Sequence, residues 1–184
     1  MKITKTVLPK ESVLYTDTRQ YDYTDSFSGQ IEDPNNTLTS TEVGKAFFNS
    51  GPKWIGKLFG LRNRIVSIFG LKTSGNSKDR QAQLDDFSCE EGEQLGLFKV
   101  FRKTQHEVVL GEDDKHLNFK VSLYLGEGTS AATERNLTIS TVVKFNNWFG
   151  KLYFLPVKPF HKLIVPQMLK GIVKEIQQQR TSSQ

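Results

Sequence analysis

The densest group of titratable side chains lies in one short stretch of the chain. It consists of His106, Glu107, Glu112, Asp113, Asp114 and His116. A histidine beside a carboxylate can take up and release a proton near neutral pH, which is what general acid–base catalysis requires. Glu107 and His116 are therefore the candidate catalytic residues, although their types alone name no reaction.

The same stretch fits two plainer interpretations. Gly111 followed by three acids is typical of a turn, where such side chains are solvated, and we favour this over catalysis. Two histidines with three acids also suggest a metal, but their spacing matches no metal-ligand motif. Gly126-Glu127-Gly128 is too short for a phosphate-binding loop, and the chain has no dinucleotide fingerprint. The sequence therefore predicts no metal and no cofactor.

Two isolated side chains, Cys89 and His161, could also carry chemistry. Cys89 is the only cysteine and lies in an acidic run over 85–91. Neighbouring carboxylates raise the pKa of a thiol and suppress the reactive thiolate, so we predict that Cys89 is inert. His161 stands near the start of a predicted helix, where packing is favoured over a place at the mouth of a pocket.

The length and composition predict one folded domain in the cytoplasm. The chain has 184 residues, of which 36% are hydrophobic and 24% charged, enough to bury a substantial core. We expect a single domain over 1–184, with a core from about 20 to 176 and frayed termini. A lone cysteine suits a reducing compartment, and the first ten residues contain no apolar run of a signal peptide.

Charges are segregated along the chain, although the net charge is only +5. Residues 43–78 include seven basic side chains and no acid, whereas acids dominate over 79–134. A basic block of this kind can present a face to an anionic partner, or can hold the domain together by attracting the acidic block.

Hydrophobic periodicity predicts a strand and two helices in the first half of the chain. Alternation indicates a strand over 21–28, and Thr39 with Glu42 forms a capping box that opens the first helix. The second helix has the clearest helical spacing, and residues 71–92 then form a polar connection. The apolar stripe of this second helix consists of Trp54, Leu58, Leu61, Ile65 and Ile68.

The second half is predicted to form antiparallel strands and one long helix. The predicted strands are 95–103, 107–110, 115–125 and 136–146, which make a meander because they follow one another closely. After an aromatic stretch over 148–154, Pro159 marks the expected helix start. Pro166 should kink this helix, since proline removes a backbone hydrogen bond. The apolar stripe of the helix needs a partner, and the sheet provides one.

Two sequence blocks resemble a known bacterial family. The first covers Glu107–Leu117, and the second covers Gly150–Phe154 with Val157–Val165. Over roughly Thr39–Val173 the chain is similar to the family called domain of unknown function 2867, placed in the START-like (SRPBCC, helix-grip) superfamily. The resemblance implies an α+β helix-grip fold, in which an antiparallel sheet wraps around a long C-terminal helix. It also implies an internal apolar cavity, as in lipid carriers, hormone receptors and a few cyclases, but no particular reaction.

The leading hypothesis is a non-enzymatic module that binds a small apolar or lipid-like ligand in a cavity between the sheet and the C-terminal helix. Its walls are predicted from the more apolar face of each element. They are Phe98, Val100, Leu117, Phe119, Val121, Val143, Phe145, Ile164 and Met168. The alternative is a cyclase- or isomerase-type enzyme that uses the same cavity with Glu107 or His116.

A third hypothesis is an anionic-membrane-surface or lipid-transfer protein. Lys53, Lys57 and Arg64 accompany the apolar stripe of the second predicted helix, and a basic amphipathic helix can lie on anionic lipid. We favour a solvated basic face whose apolar stripe is buried in the domain. Nucleic-acid binding is not expected, because Trp54 and Phe59 lie on the predicted buried, apolar side of this helix rather than among the basic side chains.

Overall fold

The computed structural model describes residues 1–15, 20–50, 80–127 and 133–182. The strands in these ranges are β1 (Thr4–Thr6), β2 (Tyr23–Glu32), β3 (Gln94–Leu95), β4 (Phe98–Lys103), β5 (Glu107–Asp113), β6 (Leu117–Leu125) and β7 (Glu134–Phe145). The helices are α1 (Ser40–Asn49), α2 (Arg80–Asp86) and α3 (Trp148–Ser182). The second predicted helix lies outside the described residues, and so do Lys53, Lys57 and Arg64.

The strands form one antiparallel sheet in the order β1-β2-β7-β6-β5-β4-β3. The predicted meander over β4 to β7 is confirmed. Strand β2 belongs to the same sheet although it is far from the meander in the sequence. It pairs with β7 from Tyr23 opposite Val143 to Glu32 opposite Glu134. With the long C-terminal helix, this is the α+β architecture expected from the sequence, and it is consistent with a helix-grip-like fold.

Helix α1 begins at the predicted capping box. Thr39 Oγ1 accepts a hydrogen bond from the Glu42 backbone N–H at 3.2 Å, and Glu42 Oε2 accepts one from the Thr39 backbone N–H at 2.8 Å. These two bonds satisfy backbone donors that a helix start leaves unpaired. The helix then buries Phe47 and Phe48, whose rings meet the ring of Phe98 on β4 edge to face.

Helix α3 starts at Trp148, so the predicted start at Pro159 is wrong. Asn147 caps the observed start, since its Oδ1 accepts a hydrogen bond from the Gly150 backbone N–H at 3.1 Å. Pro156, Pro159 and Pro166 all lie inside the helix. Each proline removes one backbone donor but keeps a helical φ. Burial of Phe154 against the sheet helps the helix to continue through this region.

Two other local predictions are also wrong. Strand β5 continues through Glu112 and Asp113, which pair with Phe119 and Asn118, so the turn begins after the predicted Gly111 position. Helix α2 occupies part of the stretch over 71–92 that was predicted to be a polar connection. Among the described helices, none is long and apolar enough to span a lipid bilayer.

The main core lies between the sheet and the helices. It joins alternate residues of the strands, such as Ile139 and Leu123, to Val43 of α1 and to Leu169 and Ile172 of α3. The opposite side of the sheet has a smaller apolar cluster. That cluster consists of Leu8, Leu14, Val109 and Val142, with Val13, Tyr21 and Phe101 packed against it. The residues before β2 thus cover the side of the sheet that the helices leave open.

Candidate functional site

The side chains that face the helices form successive rows across the sheet. The outer row lies nearer to the start of α3 than the middle and inner rows, and it contains Tyr23, Val143, Phe119 and Glu112. The middle row contains Asp25, Thr141, Val121, Leu110 and Val100. The inner row contains Phe27, Ile139, Leu123 and Val108, all buried. The middle row therefore separates a solidly packed half of the sheet from a half with partly accessible side chains.

The predicted wall residues lie in and beyond the middle row. Val100, Val121 and Val143 are buried. The larger side chains remain half-buried, and these are Phe98, Leu117, Phe119, Phe145, Ile164 and Met168. Phe98, Phe119 and Met168 pack at the margin of the main core. The structure thus brings the sheet members together on the helix-facing side, while their role as ligand walls stays a prediction.

A buried polar group stands at the β2 end of the middle row. This group is the carboxylate of Asp25, whose side chain is only 3% exposed. Its Oδ2 accepts a hydrogen bond from Tyr23 Oη at 2.5 Å, and its Oδ1 accepts one from His161 Nε2 of α3 at 3.1 Å. Since an ionised carboxylate only accepts, His161 carries a proton on Nε2. In the neutral ring, His161 Nδ1 is then an acceptor, and it makes no hydrogen bond within the described part of the chain.

Two neighbours complete this polar group. Thr141 lies directly across from Asp25 in the sheet, and its Oγ1 is buried without a hydrogen-bond partner among the described residues. Lys158 Nζ lies 5.2 Å from the centre of the Tyr23 ring. The pKa of Tyr23 is raised, first by burial and then by its hydrogen bond to the Asp25 carboxylate, so the phenol stays protonated as a donor.

We call Tyr23, Asp25, Thr141 and His161 the polar cluster. Apolar rings border it, because the Phe154 ring lies 4.9 Å from that of Tyr23 and 5.5 Å from that of Phe145, between ring centres. A polar group in such surroundings forms strong directional interactions, since little water competes for it. The cluster can therefore orient the polar end of a mainly apolar molecule.

The two predicted catalytic residues are not brought together. Glu107 pairs with Tyr124 at one end of the β5–β6 hairpin, whereas His116 lies in the turn at the other end. Glu107 also faces away from the helices. It accepts hydrogen bonds from Ser12 Oγ at 2.6 Å, from the Val13 backbone N–H at 2.8 Å and from Ser122 Oγ. These bonds anchor the N-terminal segment on the sheet, which is a structural role.

His116 is a structural neighbour of the α3 start. Asn147 Nδ2 donates hydrogen bonds to His116 Nδ1 and to the Lys115 carbonyl, each at 3.1 Å. The His116 ring also packs on Phe149, with 4.7 Å between ring centres. Gly150 brings α3 so close that a Cβ there would collide with the His116 carbonyl. His116 therefore helps to seat the helix, and it lies apart from the polar cluster.

A third buried carboxylate, Asp33, is paired with two arginines and serves stability. Arg135 Nη1 donates to its Oδ2 at 3.0 Å, and Arg180 Nη1 donates to its Oδ1 at 2.9 Å. Burial favours the neutral acid, but the hydrogen bonds from Arg135, the Leu38 backbone, Arg180 and the Thr37 backbone outweigh it and lower the pKa of Asp33. This network ties the end of α3 to the sheet.

The structure has an open groove on the opposite side of the sheet. Its volume is about 510 Å³, and the N-terminal segment and strands β6 and β7 line it through residues such as Pro9, Tyr124 and Asn136. None of the nine predicted wall residues belongs to its lining. The groove is thus separate from the candidate site around the polar cluster.

Sequence reasoning missed three of the four members of the polar cluster and underrated the fourth, His161. One signal was available, because Tyr23, Asp25 and Phe27 alternate along a strand whose apolar positions face the core. An acid at an inward position must find a partner or a function. The partner itself could not be read from the sequence, since His161 is 136 positions away.

Comparison with known proteins adds one match. A family model matches residues 18–168, and its description is "Protein of unknown function (DUF2867)". No curated protein matches the chain, and no solved structure does.

Proposed function

The chain belongs to the DUF2867 family of proteins of unknown function, and we propose that it binds a small, mainly apolar ligand between the sheet and α3. One observation carries the proposal. Asp25 and Thr141 of the polar cluster are buried at the border of a half-buried apolar surface, and Thr141 Oγ1 has no hydrogen-bond partner in the described part of the chain. An unpaired buried hydroxyl is costly, so a position of this kind suits a ligand that supplies the missing bond.

The chemistry of the cluster defines the polar end of the ligand. In its neutral form, His161 offers a hydrogen-bond acceptor at Nδ1, and the Thr141 hydroxyl can donate or accept. A neutral hydroxyl on the ligand can therefore donate to His161 and accept from Thr141. A ligand carboxylate would instead meet the Asp25 charge, which disfavours a second anion in the same site. We therefore propose an alcohol, rather than a fatty acid, as the ligand class.

The apolar part of the ligand would lie along the outer row. Phe119 in this row, Phe145 beyond it on β7 and Met168 on α3 remain half-buried, and an apolar tail would gain about 25 cal/mol for each Å² that it removes from water. The helix-grip-like fold supports a START-like assignment, with the ligand held between sheet and C-terminal helix. The proposal needs no cofactor and treats the protein as a carrier or sensor.

Direct binding of matched probes tests the proposal. The full chain is titrated with fluorescently labelled dodecanol and with the dodecanoic acid that carries the same label. We expect saturable binding of the alcohol, at least about tenfold tighter than that of the acid. Native mass spectrometry of the purified protein adds an independent search for a bound ligand. If neither probe saturates and no ligand co-purifies, the proposal is wrong.

A pair of substitutions on one strand locates the binding surface. Val143 faces the helices and Val142 faces the other side, and both side chains are buried. Val143→Phe should fill space beside Phe119 and weaken probe binding by about tenfold. Val142→Phe adds the same volume to the same strand and should leave the affinity unchanged in the folded protein. Equal losses in both variants would contradict the assigned face.

The Asp25–His161 pair favours a second candidate, a cyclase- or isomerase-type enzyme. A carboxylate that holds one ring nitrogen of a histidine orients the other nitrogen as a general base. Under this candidate, His161→Gln would abolish conversion of the recovered ligand while binding persists. The measurement is mass spectrometry of the ligand before and after incubation with protein. An unchanged ligand in both proteins favours the binding module.

A further inference from the structure

The outward side of the first half of α3 exposes large apolar side chains. Trp148 is 74% exposed and Leu163 is 66% exposed. Leu152, Leu155 and Phe160 are also exposed by more than half. Isolated exposed apolar residues are common on proteins, but a group on one helix marks an interaction surface.

These residues form a stripe at helical spacing. At about 100° per residue, Trp148, Leu152, Leu155 and Leu163 fall within a sector about 80° wide. Phe154 and His161, which contact the sheet side, lie roughly opposite. The first half of α3 is therefore apolar on both sides, although only one side packs against the sheet. We call the exposed set Trp148, Leu152, Leu155 and Leu163 the outer stripe.

Basic residues flank the outer stripe. Lys151, Lys158 and Lys162 are exposed and fall within an adjoining sector about 40° wide. The helix contains no aspartate or glutamate before Glu175. The outward surface thus combines an apolar strip, an exposed tryptophan and a positive edge without a compensating acid in the first half of the helix.

We propose that the outer stripe docks on the surface of an anionic lipid bilayer. An interfacial helix inserts apolar side chains between headgroups while adjacent lysines attract anionic lipid, and tryptophan prefers the boundary between water and hydrocarbon. The uncompensated positive edge favours anionic lipid over a second copy of this chain, which would bring the same positive edge into the contact. The inference goes beyond the proposed ligand binding and stands without it.

Tryptophan fluorescence reports the contact directly. The chain has two tryptophans, so Trp54→Phe leaves Trp148 as the single emitter. Vesicles of phosphatidylcholine with phosphatidylglycerol should shift Trp148 emission to shorter wavelength, and brominated lipid should quench it. Vesicles of phosphatidylcholine alone should do neither at matched lipid concentration.

Matched substitutions separate the stripe and the lysines from general surface effects. In vesicle co-sedimentation, Leu163→Glu should lower binding by at least about tenfold. Val7→Glu places the same charge at an apolar residue that is 80% exposed elsewhere, and it should have little effect. Lys151→Glu with Lys162→Glu should weaken binding by at least about tenfold, whereas Lys170→Glu with Lys174→Glu, on the later part of the same helix, should weaken it far less.

Three outcomes would overturn the proposal. The first is Trp148 emission that stays unchanged when anionic vesicles are added to the folded protein. Emission that is already blue-shifted and shielded from acrylamide without vesicles would show that the chain itself covers the stripe. Concentration-dependent dimerisation that Leu163→Glu abolishes, without vesicle binding, would assign the stripe to a second copy.

Discussion

Asp25 on β2 and His161 on α3 meet through one hydrogen bond, in which His161 Nε2 donates to Asp25 Oδ1 at 3.1 Å. The contact joins an edge region of the sheet to the proline-containing half of the long helix. The Asp25 side chain is buried, so the hydrogen bonds from His161 and from the Tyr23 hydroxyl offset the cost of burying its carboxylate. The pair therefore fixes the helix where the apolar packing is incomplete.

The first prediction concerns the coupling between these two residues. His161→Phe removes a donor and leaves the buried carboxylate with Tyr23 only, so the free energy of unfolding should fall by about 1–3 kcal/mol. In Asp25→Asn with His161→Phe, the loss should be smaller than the sum of the single losses, because the second change removes the stranded charge. Urea unfolding of His161→Phe, Asp25→Asn and the double variant measures the three losses. Additive losses would show that the contact contributes nothing.

The second prediction concerns acid stability and Asp33. The folded-state pKa of Asp33 lies below its ordinary value of 3.8, so its contribution to stability is present above that pH. The contribution is lost as the pH falls towards the lower folded-state pKa. Asp33→Asn should therefore flatten the fall of the unfolding free energy below about pH 4, relative to the parent protein. If urea unfolding shows that the free energy of unfolding of Asp33→Asn falls as steeply at acid pH as that of the parent protein, the role of the network is contradicted.

The two arginines of this network should differ in importance. Arg135 is buried with the carboxylate, whereas the Arg180 side chain is partly exposed. Arg135→Met should cost about 3–5 kcal/mol, because it strands a buried charge, and Arg180→Met should cost less. Equal costs would show that burial does not set the strength of the pair.

The fold could be predicted further than the site. Alternation identified the main strands, and the capping box at Thr39 fixed the start of α1, because both signals are local in sequence. The start of α3 was not predicted, since a local pattern with three prolines disfavours a continuous helix more strongly than Asn147 favours a helix start. The polar cluster was missed because the pairing of β2 with β7 and the docking of α3 decide which residues meet.

The third prediction concerns Cys89. The acidic neighbours of Cys89 in the sequence predict low reactivity. In the structure, burial is the main reason that the pKa of Cys89 is raised to about 12. At about pH 8, only about one thiol in ten thousand would then be ionised in the folded protein. Ellman's reagent should react with the protein far more slowly than with urea-unfolded protein at the same pH. Comparable rates would contradict the buried, neutral thiol.

The fourth prediction separates Glu107 from ligand chemistry. Glu107→Gln keeps the shape but replaces one acceptor oxygen with a donor that faces Ser12, Ser122 and the Val13 N–H. It should lower the free energy of unfolding by about 1–3 kcal/mol and increase proteolysis of the N-terminal segment. Affinity for the labelled dodecanol should be unchanged in the folded protein. A selective loss of affinity would restore Glu107 as a site residue.

The fifth prediction uses two threonines of the same strand. Thr138 and Thr141 are both buried on β7, but Thr138 Oγ1 donates to Ser28 Oγ at 3.1 Å, whereas Thr141 Oγ1 has no partner within the described ranges. Valine has nearly the same shape as threonine and suits a strand equally well. Thr138→Val should therefore destabilise the protein by about 1 kcal/mol, while Thr141→Val should be neutral or stabilising.

The same variants connect stability with ligand binding. If the Thr141 hydroxyl completes its hydrogen bonding with the ligand, Thr141→Val should weaken dodecanol binding by about tenfold while the free protein keeps or gains stability. Thr138→Val should show the reverse pattern, with lower stability and unchanged affinity. Urea unfolding and probe titration of both variants measure the two quantities separately. Loss of stability in Thr141→Val would show that the hydroxyl is already satisfied without ligand, and this would remove the observation on which the proposed site rests.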